Sequence, residues 1–267
     1  MLQKTDAKWR LDVKKLNIAF SLLAVLAMVA AWIAVYYTVR NDYIIPSFLD
    51  TLREMGAQLA SADFWVAFGN TLGRSAGAWL LAFALAAVFV SLSALAEPFR
   101  RFFAPVVGVL RTVPTMAITL MLLVWTTPRI APIIVAFLMI FPLTYAQMLA
   151  AYGGIDPKLI EMARVYRIPK REQVLRIVLP LMLPQVLAQA GANLSLTLKV
   201  MVSAEVLAST FRSVGGLLHE AAAYAQMAQM FAVVILMLLV GGILEFALGF
   251  LGRIGDRWTR GRSKEKA

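Results

Sequence analysis

Residues Ile130–Ala150 read IAPIIVAFLMIFPLTYAQMLA, a segment without a single charged side chain. A helix needs about 20 predominantly apolar residues to cross the hydrocarbon core of a bilayer. No water reaches backbone amides at that depth, so a helix, which satisfies its own hydrogen bonds, is the expected conformation. We therefore predict that this segment is a transmembrane helix.

Similar apolar runs occur on both sides of this segment. They are Ile18–Thr38, Ala76–Leu95, Phe103–Thr126, Leu181–Ser209 and Met230–Leu251. The first run is longer than the apolar core of a signal peptide and lacks a small-residue cleavage site. The chain is 61% hydrophobic and only 15% charged, whereas soluble domains carry about 25% charged residues. The sequence thus predicts an all-α integral membrane protein with about six transmembrane helices over residues 18–251, and not a soluble enzyme.

Positive charge predicts the orientation of these helices. Of the 26 Lys and Arg residues, 19 lie in the two terminal tails and in the connections between runs two and three and between runs four and five. Only five lie in the remaining connections. Because cytoplasmic segments of membrane proteins are enriched in Lys and Arg, we expect tails 1–17 and 252–267 to lie in the cytoplasm, with the protein in the inner membrane. The net charge of +11 then reflects topology and lipid contact, and no nucleic-acid partner is expected.

Composition also limits the chemistry. The chain has no cysteine and a single histidine, His219, which we interpret as an ordinary polar residue between helices. Thiol catalysis and thiolate metal sites are excluded, and we expect no catalytic residue and no metal site. Between the first two runs, Pro46–Trp65 is too polar to cross a bilayer, and Ser47 is placed to cap a helix. We predict an amphipathic helix on the outer surface over 46–65.

The connection between runs four and five, residues 151–180, is longer than a helical hairpin needs. Asp156 before Pro157 is a typical helix start, and Leu159, Met162, Ala163 and Tyr166 would share one apolar face. Pro169 would start a second short helix. The sequence therefore predicts two short amphipathic helices on the cytoplasmic side, with a break near Arg167. A solvated basic loop near lipid headgroups is the alternative.

This connection resembles the coupling loop of ABC-importer permeases. Glu161-Met162-Ala163 stands where the family has E-A-A, Arg167 falls at its glycine, and Ile177-Val178-Leu179-Pro180 matches I-x-L-P at the same spacing. Arg167 is a departure, because it must either adopt another turn geometry or bear a strain of about 1 kcal/mol. The resemblance assigns ATPase coupling to Asp156, Glu161, Met162, Ala163, Tyr166, Arg167, Pro169, Ile177, Leu179 and Pro180, with Ala163 packed against the ATPase.

Further motifs extend the resemblance over most of the chain. Thr71-Leu72-Gly73-Arg74 resembles T-L-x-R, Arg111–Ala117 is similar to R-x-x-P-x-x-A, and Ser203-Ala204-Glu205 looks like A-A-E. With Ile45-Pro46-Ser47, these motifs resemble the branch that imports nitrate, sulfonates, taurine, bicarbonate and thiamine precursors.

This resemblance implies the fold and partners of a type I importer permease. The partners would be a second permease copy, giving a homodimer, two cytoplasmic ATPases and an external substrate-binding protein. The chain has no G-x-x-x-x-G-K-[S/T] motif. We therefore expect it to bind no cofactor itself, with ATP and Mg on the partner ATPase.

Polar residues inside the runs suggest a translocation pathway, since such residues are costly in lipid and usually face a cavity or a partner. Ser195, Lys199 and Ser203 would share one face of the fifth helix. Lys199 would either attract an anionic substrate or pair with Glu205 or Glu245. The predicted pathway set is Arg111, Asn193, Ser195, Thr197, Lys199, Ser203 and Glu205, although snorkelling or carbonyl contacts would also explain Arg111.

Two other classes of protein are alternatives to an importer permease. An ion- or proton-coupled secondary carrier could use Lys199, Glu205 and Glu245 as a relay, but it should show an inverted repeat, and we find none. An intramembrane enzyme would need a clustered nucleophile and base or a set of metal ligands. A single histidine and no cysteine argue against that class.

Overall fold

A computed structural model describes the chain over residues 2–264, with side chains described for residues 19–247. The described chain is all-helical, as predicted. Its helices are α1 Leu2–Val39, α2 Phe48–Ala60, α3 Ala62–Leu95, α4 Glu97–Thr112, α5 Thr115–Trp125, α6 Ala131–Gly153, α7 Pro157–Val165, α8 Lys170–Gln173, α9 Leu179–Leu207, α10 Val214–Ala223 and α11 Met227–Lys264. The side chains of the predicted tails 1–17 and 252–267 lie outside the described residues.

Five helical segments are long and apolar enough to cross a membrane. Within the described residues they are Ala19–Val39, Ala62–Leu95, Ala131–Gly153, Lys170–Leu207 and Met227–Ala247. A bent pair, α4 with α5, would make a sixth crossing if its two parts form one span. The prediction of about six transmembrane helices is therefore confirmed.

The third span is broken, which corrects the prediction of one helix over Phe103–Thr126. Helices α4 and α5 meet at 94° across Val113 and Pro114. Proline lacks an amide N–H and pushes the preceding residue out of the helical region, and Val113 accordingly has φ −68° and ψ 126°. Because α5 has only 11 residues, about 16 Å at 1.5 Å per residue, it is too short to cross a bilayer alone.

Small side chains let the central helices approach closely. Every third or fourth residue along α3 is small and buried, including Ala67, Thr71, Ser75, Ala78, Ala82 and Ala86. This stripe packs against α6 and α9, as expected where close backbone approach and van der Waals contact drive helix association in lipid. Helix α11 then packs along α9. By contrast, the described part of α1 is largely exposed, which suits a helix surrounded by lipid.

Two other predicted boundaries need correction. The outer helix ends at Ala60, and Trp65 belongs to α3, which begins 14 residues before the predicted Ala76. The predicted cap is confirmed, since the Ser47 hydroxyl accepts a hydrogen bond from the Asp50 amide at 3.1 Å. The helix predicted from Pro169 is not a separate short helix. It continues from α8 through a π-helical turn, Val174–Val178, directly into α9.

Candidate coupling surface and translocation face

Helix α7 begins as predicted. The Asp156 carboxylate accepts a hydrogen bond from the Lys158 amide at 2.9 Å, and Pro157 occupies the first turn, where its missing N–H costs nothing. A capped helix of nine residues is thereby fixed at the end of the molecule where α6 ends and α8 begins.

The apolar residues of α7 do not share the single face that the sequence predicted. Ala163 is fully buried, at 0% exposure, and Leu159 and Ile160 pack towards the main core. Met162, Val165 and Tyr166 instead project outward, with Tyr166 75% exposed. We call these three residues the α7 outer patch. The methyl group of Ala163 is thus already covered by this chain, and the predicted contact of α7 with an ATPase stays a prediction.

Arg167 adopts the geometry that glycine would have at this position. Its φ is 53°, in the left-handed region. The Arg167 amide donates to the Arg164 carbonyl at 3.0 Å and the Ile168 amide donates to the Ala163 carbonyl at 2.9 Å. These two bonds form a Schellman motif, which usually ends on glycine. The sequence left two outcomes open, a different turn geometry or a strained arginine in the usual turn. The structure shows the strained arginine.

Helix α9 has one buried side and one exposed side. Asn193 and Thr197 are buried, and the Asn193 amide donates to Oε1 of Gln147 on α6 at 2.6 Å. The exposed residues between 185 and 207 recur every three or four positions and thus lie along one stripe. We call this stripe the open face of α9; it comprises Gln185, Ala188, Ala192, Leu196, Lys199, Ser203 and Leu207.

The structure does not place Ser195, Lys199 and Ser203 on one face of α9, as the sequence predicted. Ser195 is buried against α11, where a Cβ added to Gly241 would lie 3.2 Å from its hydroxyl. Lys199 and Ser203 remain on the open face, and the Ser203 hydroxyl donates to the Lys199 carbonyl at 3.0 Å. Only these two members of the predicted set share an accessible surface of α9.

Glu205 lies on the opposite side of α9 and is fully buried. Its Oε2 accepts hydrogen bonds from the Thr71 hydroxyl at 2.8 Å and from the Gly215 amide at 3.3 Å. Its Oε1 lies 3.3 Å from Nη2 of Arg74, at ion-pair distance but without hydrogen-bond geometry. The two motifs T-L-x-R and A-A-E thus meet at one buried carboxylate.

The predicted pairing of Lys199 with Glu205 is wrong. The six residues that separate them turn an α-helix through about 600°, which places their side chains roughly 120° apart. Among the described residues, neither Glu205 nor Glu245 forms an ion pair with Lys199. Lys199 is therefore an exposed cation on the open face, eight residues from the end of α9.

The connection after α9 is held by the same network. Thr71 accepts a hydrogen bond from the Val214 amide at 3.0 Å, so one threonine contacts both Glu205 and the first turn of α10. The Thr210 hydroxyl donates to the Pro128 carbonyl at 2.7 Å. His219 lies within 3.1 Å of the Ser209 hydroxyl. The end of α9, the start of α10 and the turn after α5 are thereby tied together.

The described residues show no arrangement that would hold a metal ion, since no three of their His, Asp or Glu side chains cluster. Arg111 is exposed at the end of α4 and forms no ion pair with a described residue. The side chains described above can therefore bind a protein surface, through the α7 outer patch, and attract an anion, through Lys199.

Comparison with known proteins decides the family. The profile of the binding-protein-dependent transport system inner membrane component matches residues 96–260, more than half of the chain. The chain belongs to this family. It is a multi-pass inner-membrane permease subunit of an ABC importer, and the ATPase of such a system is a separate subunit. Membership rules against the secondary carrier and the intramembrane enzyme.

One curated relative and several solved permeases add detail. The chain is 25% identical, over 186 residues, to the putative aliphatic sulfonates transport permease protein of Bacillus subtilis (strain 168), covering 69% of this chain and 67% of the relative. The fold of this chain is similar to that of the MetNI methionine ABC transporter in inward-facing conformations. The TM-score is 0.61 at 17% identity, and the match covers 72% of this chain and 97% of the other.

A bacterial ABC transporter that imports the acidic polysaccharide alginate is also similar in fold. Its TM-score is 0.64 at 16% identity, covering 90% of this chain and 97% of the other. These likenesses confirm the importer-permease fold.

Proposed function

We propose that two copies of this chain form the translocation pathway for a small anionic solute. The candidate solutes are a sulfonate, taurine, nitrate or a bicarbonate-like ion, with a thiamine precursor less suited to a cationic pathway. An external binding protein delivers the solute in this scheme. Two cytoplasmic ATPases, which bind the ATP and Mg²⁺, dock on the α7 outer patch.

The position of Lys199 is the main support for this proposal. It lies on the open face of α9, eight residues from the helix end, which is about 12 Å at 1.5 Å per residue. A charged side chain facing hydrocarbon at this depth costs several kcal/mol, and such residues face a water-filled cavity or a partner. An aqueous pathway between two copies would satisfy this requirement for both Lys199 and Ser203.

The charge of Lys199 also supports the solute class. No described carboxylate neutralises it, so its ammonium group would attract anions and repel cations. The sulfonate permease of Bacillus subtilis is a relative at 25% identity, which agrees with an anionic solute and favours a sulfonate as the first compound to test.

A charge-removal experiment tests this function. The chain, its ATPase and its binding protein are reconstituted in liposomes, and ATP-dependent uptake of radiolabelled butanesulfonate is measured. Lys199→Met should lower uptake by about tenfold or more, equivalent to about 1.4 kcal/mol, without lowering the melting temperature. Lys199→Arg keeps the charge and should retain most of the uptake. Full uptake by Lys199→Met, or no uptake of any small anion by the wild type, would contradict the proposal.

A further inference from the structure

A second cationic site lies at the opposite end of the molecule from α7. A cavity of about 710 Å³ opens between the first third of α3, the turn after α5 and the turn after α9. Three arginines line it, Arg74, Arg129 and Arg212, and no Asp or Glu is among its lining residues. By the predicted topology this end faces outward, where a solute arrives.

The arginines leave the cavity with a net positive charge. The Arg74 charge is balanced by Glu205, which is buried beneath it. Arg129 and Arg212 form no ion pair with any residue whose side chain is described. Asp63 and Glu220 line a neighbouring cavity that Arg212 also borders. Guanidinium groups bind oxyanions such as sulfonate or phosphate through paired, charge-assisted hydrogen bonds.

The backbone around these two arginines is fixed in place. The Arg212 carbonyl accepts a hydrogen bond from the Asn70 amide on α3 at 3.1 Å. The bond from Thr210 to Pro128 joins the turn that carries Arg212 to the turn that carries Arg129. Arg212 also has φ 50°, a strained conformation that is kept only where surrounding contacts impose it. The backbone positions of Arg129 and Arg212 are therefore fixed relative to the cavity.

Apart from Asn70, the remaining walls are apolar. Val66, Ile130, Ile133 and Phe211 line the same cavity, and the Arg212 guanidinium lies 5.5 Å from the centre of the Phe211 ring. A volume near 710 Å³ lies within the range of small-molecule sites, about 300–1,000 Å³. A small inorganic anion would leave most of this space and the apolar surface unused.

We propose that this outer arginine cavity binds an organic anion, with its oxyanion group at Arg129 and Arg212 and its apolar part against Phe211 and the isoleucines. This inference rests on the proposed function, because it makes the cavity the first binding site for the anion before it reaches Lys199. It narrows the solute class from any small anion to an alkyl or aryl sulfonate or a similar amphipathic oxyanion.

Site-specific chemical protection tests the inference directly. The permease–ATPase complex in lipid nanodiscs, without binding protein, is treated with p-hydroxyphenylglyoxal, and arginine modification is measured residue by residue by mass spectrometry. Butanesulfonate should slow modification of Arg129 and Arg212 at least about fivefold, since bound oxyanion occupies their N–H groups. Methanesulfonate should protect less, and neutral butanesulfonamide should not protect at all. Arg53, on α2 outside the cavity, is the internal control.

Uptake measurements separate failure of this inference from failure of the proposed function. Arg129→Gln with Arg212→Gln should raise the KM for butanesulfonate about tenfold or more at every binding-protein concentration, while Arg53→Gln leaves it unchanged. Wild-type uptake without protection of Arg129 and Arg212 overturns the cavity site alone. In a third outcome, excess binding protein restores uptake by the double variant, and butanesulfonate does not protect Arg129 and Arg212 in the wild type. This result would assign the two arginines to docking of the binding protein and would also overturn the cavity site. A wild-type complex that takes up another small anion but no alkanesulfonate overturns the cavity inference alone, whereas one that takes up no small anion contradicts the proposed function as well.

Discussion

The Arg74 guanidinium lies 3.3 Å from the carboxylate of Glu205, although 131 positions separate the two residues in the chain. Glu205 is fully buried and the Arg74 side chain is 16% exposed. The pair links α3 to α9 at the end of the bundle opposite α7. Because Thr71 and the Gly215 amide bond the same carboxylate, α10 is attached at this point too.

Removing one partner of this pair should destabilise the protein strongly. Breaking a buried pair typically costs about 3–5 kcal/mol of stability because the remaining charge is left without compensation. Since Arg74 keeps some exposure to solvent, we expect the cost of Glu205→Gln to lie near the lower end of this range. Thermal unfolding of the purified protein measures the effect. The exposed pair of Arg53 and Asp50, with side chains 72% and 52% exposed, is the control, and Arg53→Gln should cost less than about 1 kcal/mol. Equal costs for the two variants would contradict a structural role of Glu205.

Gly215 offers a steric test of the same junction. A Cβ at this position would lie 2.6 Å from the Val206 amide nitrogen and would also collide with Glu205. Gly215→Ala should therefore lower the melting temperature sharply, because the contacted backbone cannot move aside. Gly77→Ala on α3 adds a methyl group where nothing lies within 4 Å, and it should be neutral or stabilising by up to about 1 kcal/mol. If both variants melt like the wild type, α10 is not packed against α9 as described.

Arg167→Gly should stabilise the protein by about 1 kcal/mol, since glycine reaches φ 53° without the steric cost that arginine bears. The same substitution at Arg164, inside α7, is the matched control and should destabilise by about 1 kcal/mol, because glycine is a poor helix former. Denaturation midpoints of the two variants should thus move in opposite directions. A lower midpoint for Arg167→Gly would show that the Arg167 side chain contributes more than its backbone strain costs.

The two sides of α7 should respond differently to substitution. Tyr166→Ala removes an exposed ring and should weaken co-purification with the ATPase without changing the melting temperature of the permease. Ala163→Leu adds bulk at a position with 0% exposure and should destabilise the permease by about 1–3 kcal/mol, the usual cost of an overpacked site. Normal ATPase binding by Tyr166→Ala would show that the docking surface lies elsewhere.

Much of the fold follows from hydrophobicity and capping chemistry alone. The apolar runs predict the spans, Ser47 and Asp156 predict two helix starts, and the structure confirms these features. The length of an apolar run does not reveal where a helix bends. Pro114 was a visible signal for the break between α4 and α5, but spans often tolerate proline when neighbours satisfy the freed backbone groups, so its effect depends on the fold.

The candidate sites were harder to predict from the sequence. The left-handed residues Ser209 and Arg212 carry no glycine signal, so local sequence does not mark their turns. The turn at Arg167 was predicted because the residue falls at the glycine of the coupling-loop motif. The partner of Glu205 is Arg74, far away in the chain and recognisable only once α3 and α9 are packed together. Helical periodicity could have excluded Lys199 as that partner, because a separation of six residues turns the two side chains apart.

If the open face of α9 lines an aqueous pathway, cysteines placed along it should be accessible to water-soluble thiol reagents. The chain has no cysteine, so each single-cysteine variant reports one position. In the assembled complex, Leu196→Cys and Ser203→Cys should react rapidly with an anionic, water-soluble methanethiosulfonate reagent and lose transport. Ala204→Cys, at a buried position, and Val25→Cys, at an exposed position on α1, should react slowly, because thiols ionise poorly in protein interiors and in lipid. Slow reaction at Leu196 and Ser203, matching that at Val25, would place the open face in lipid and rule out an aqueous pathway along it.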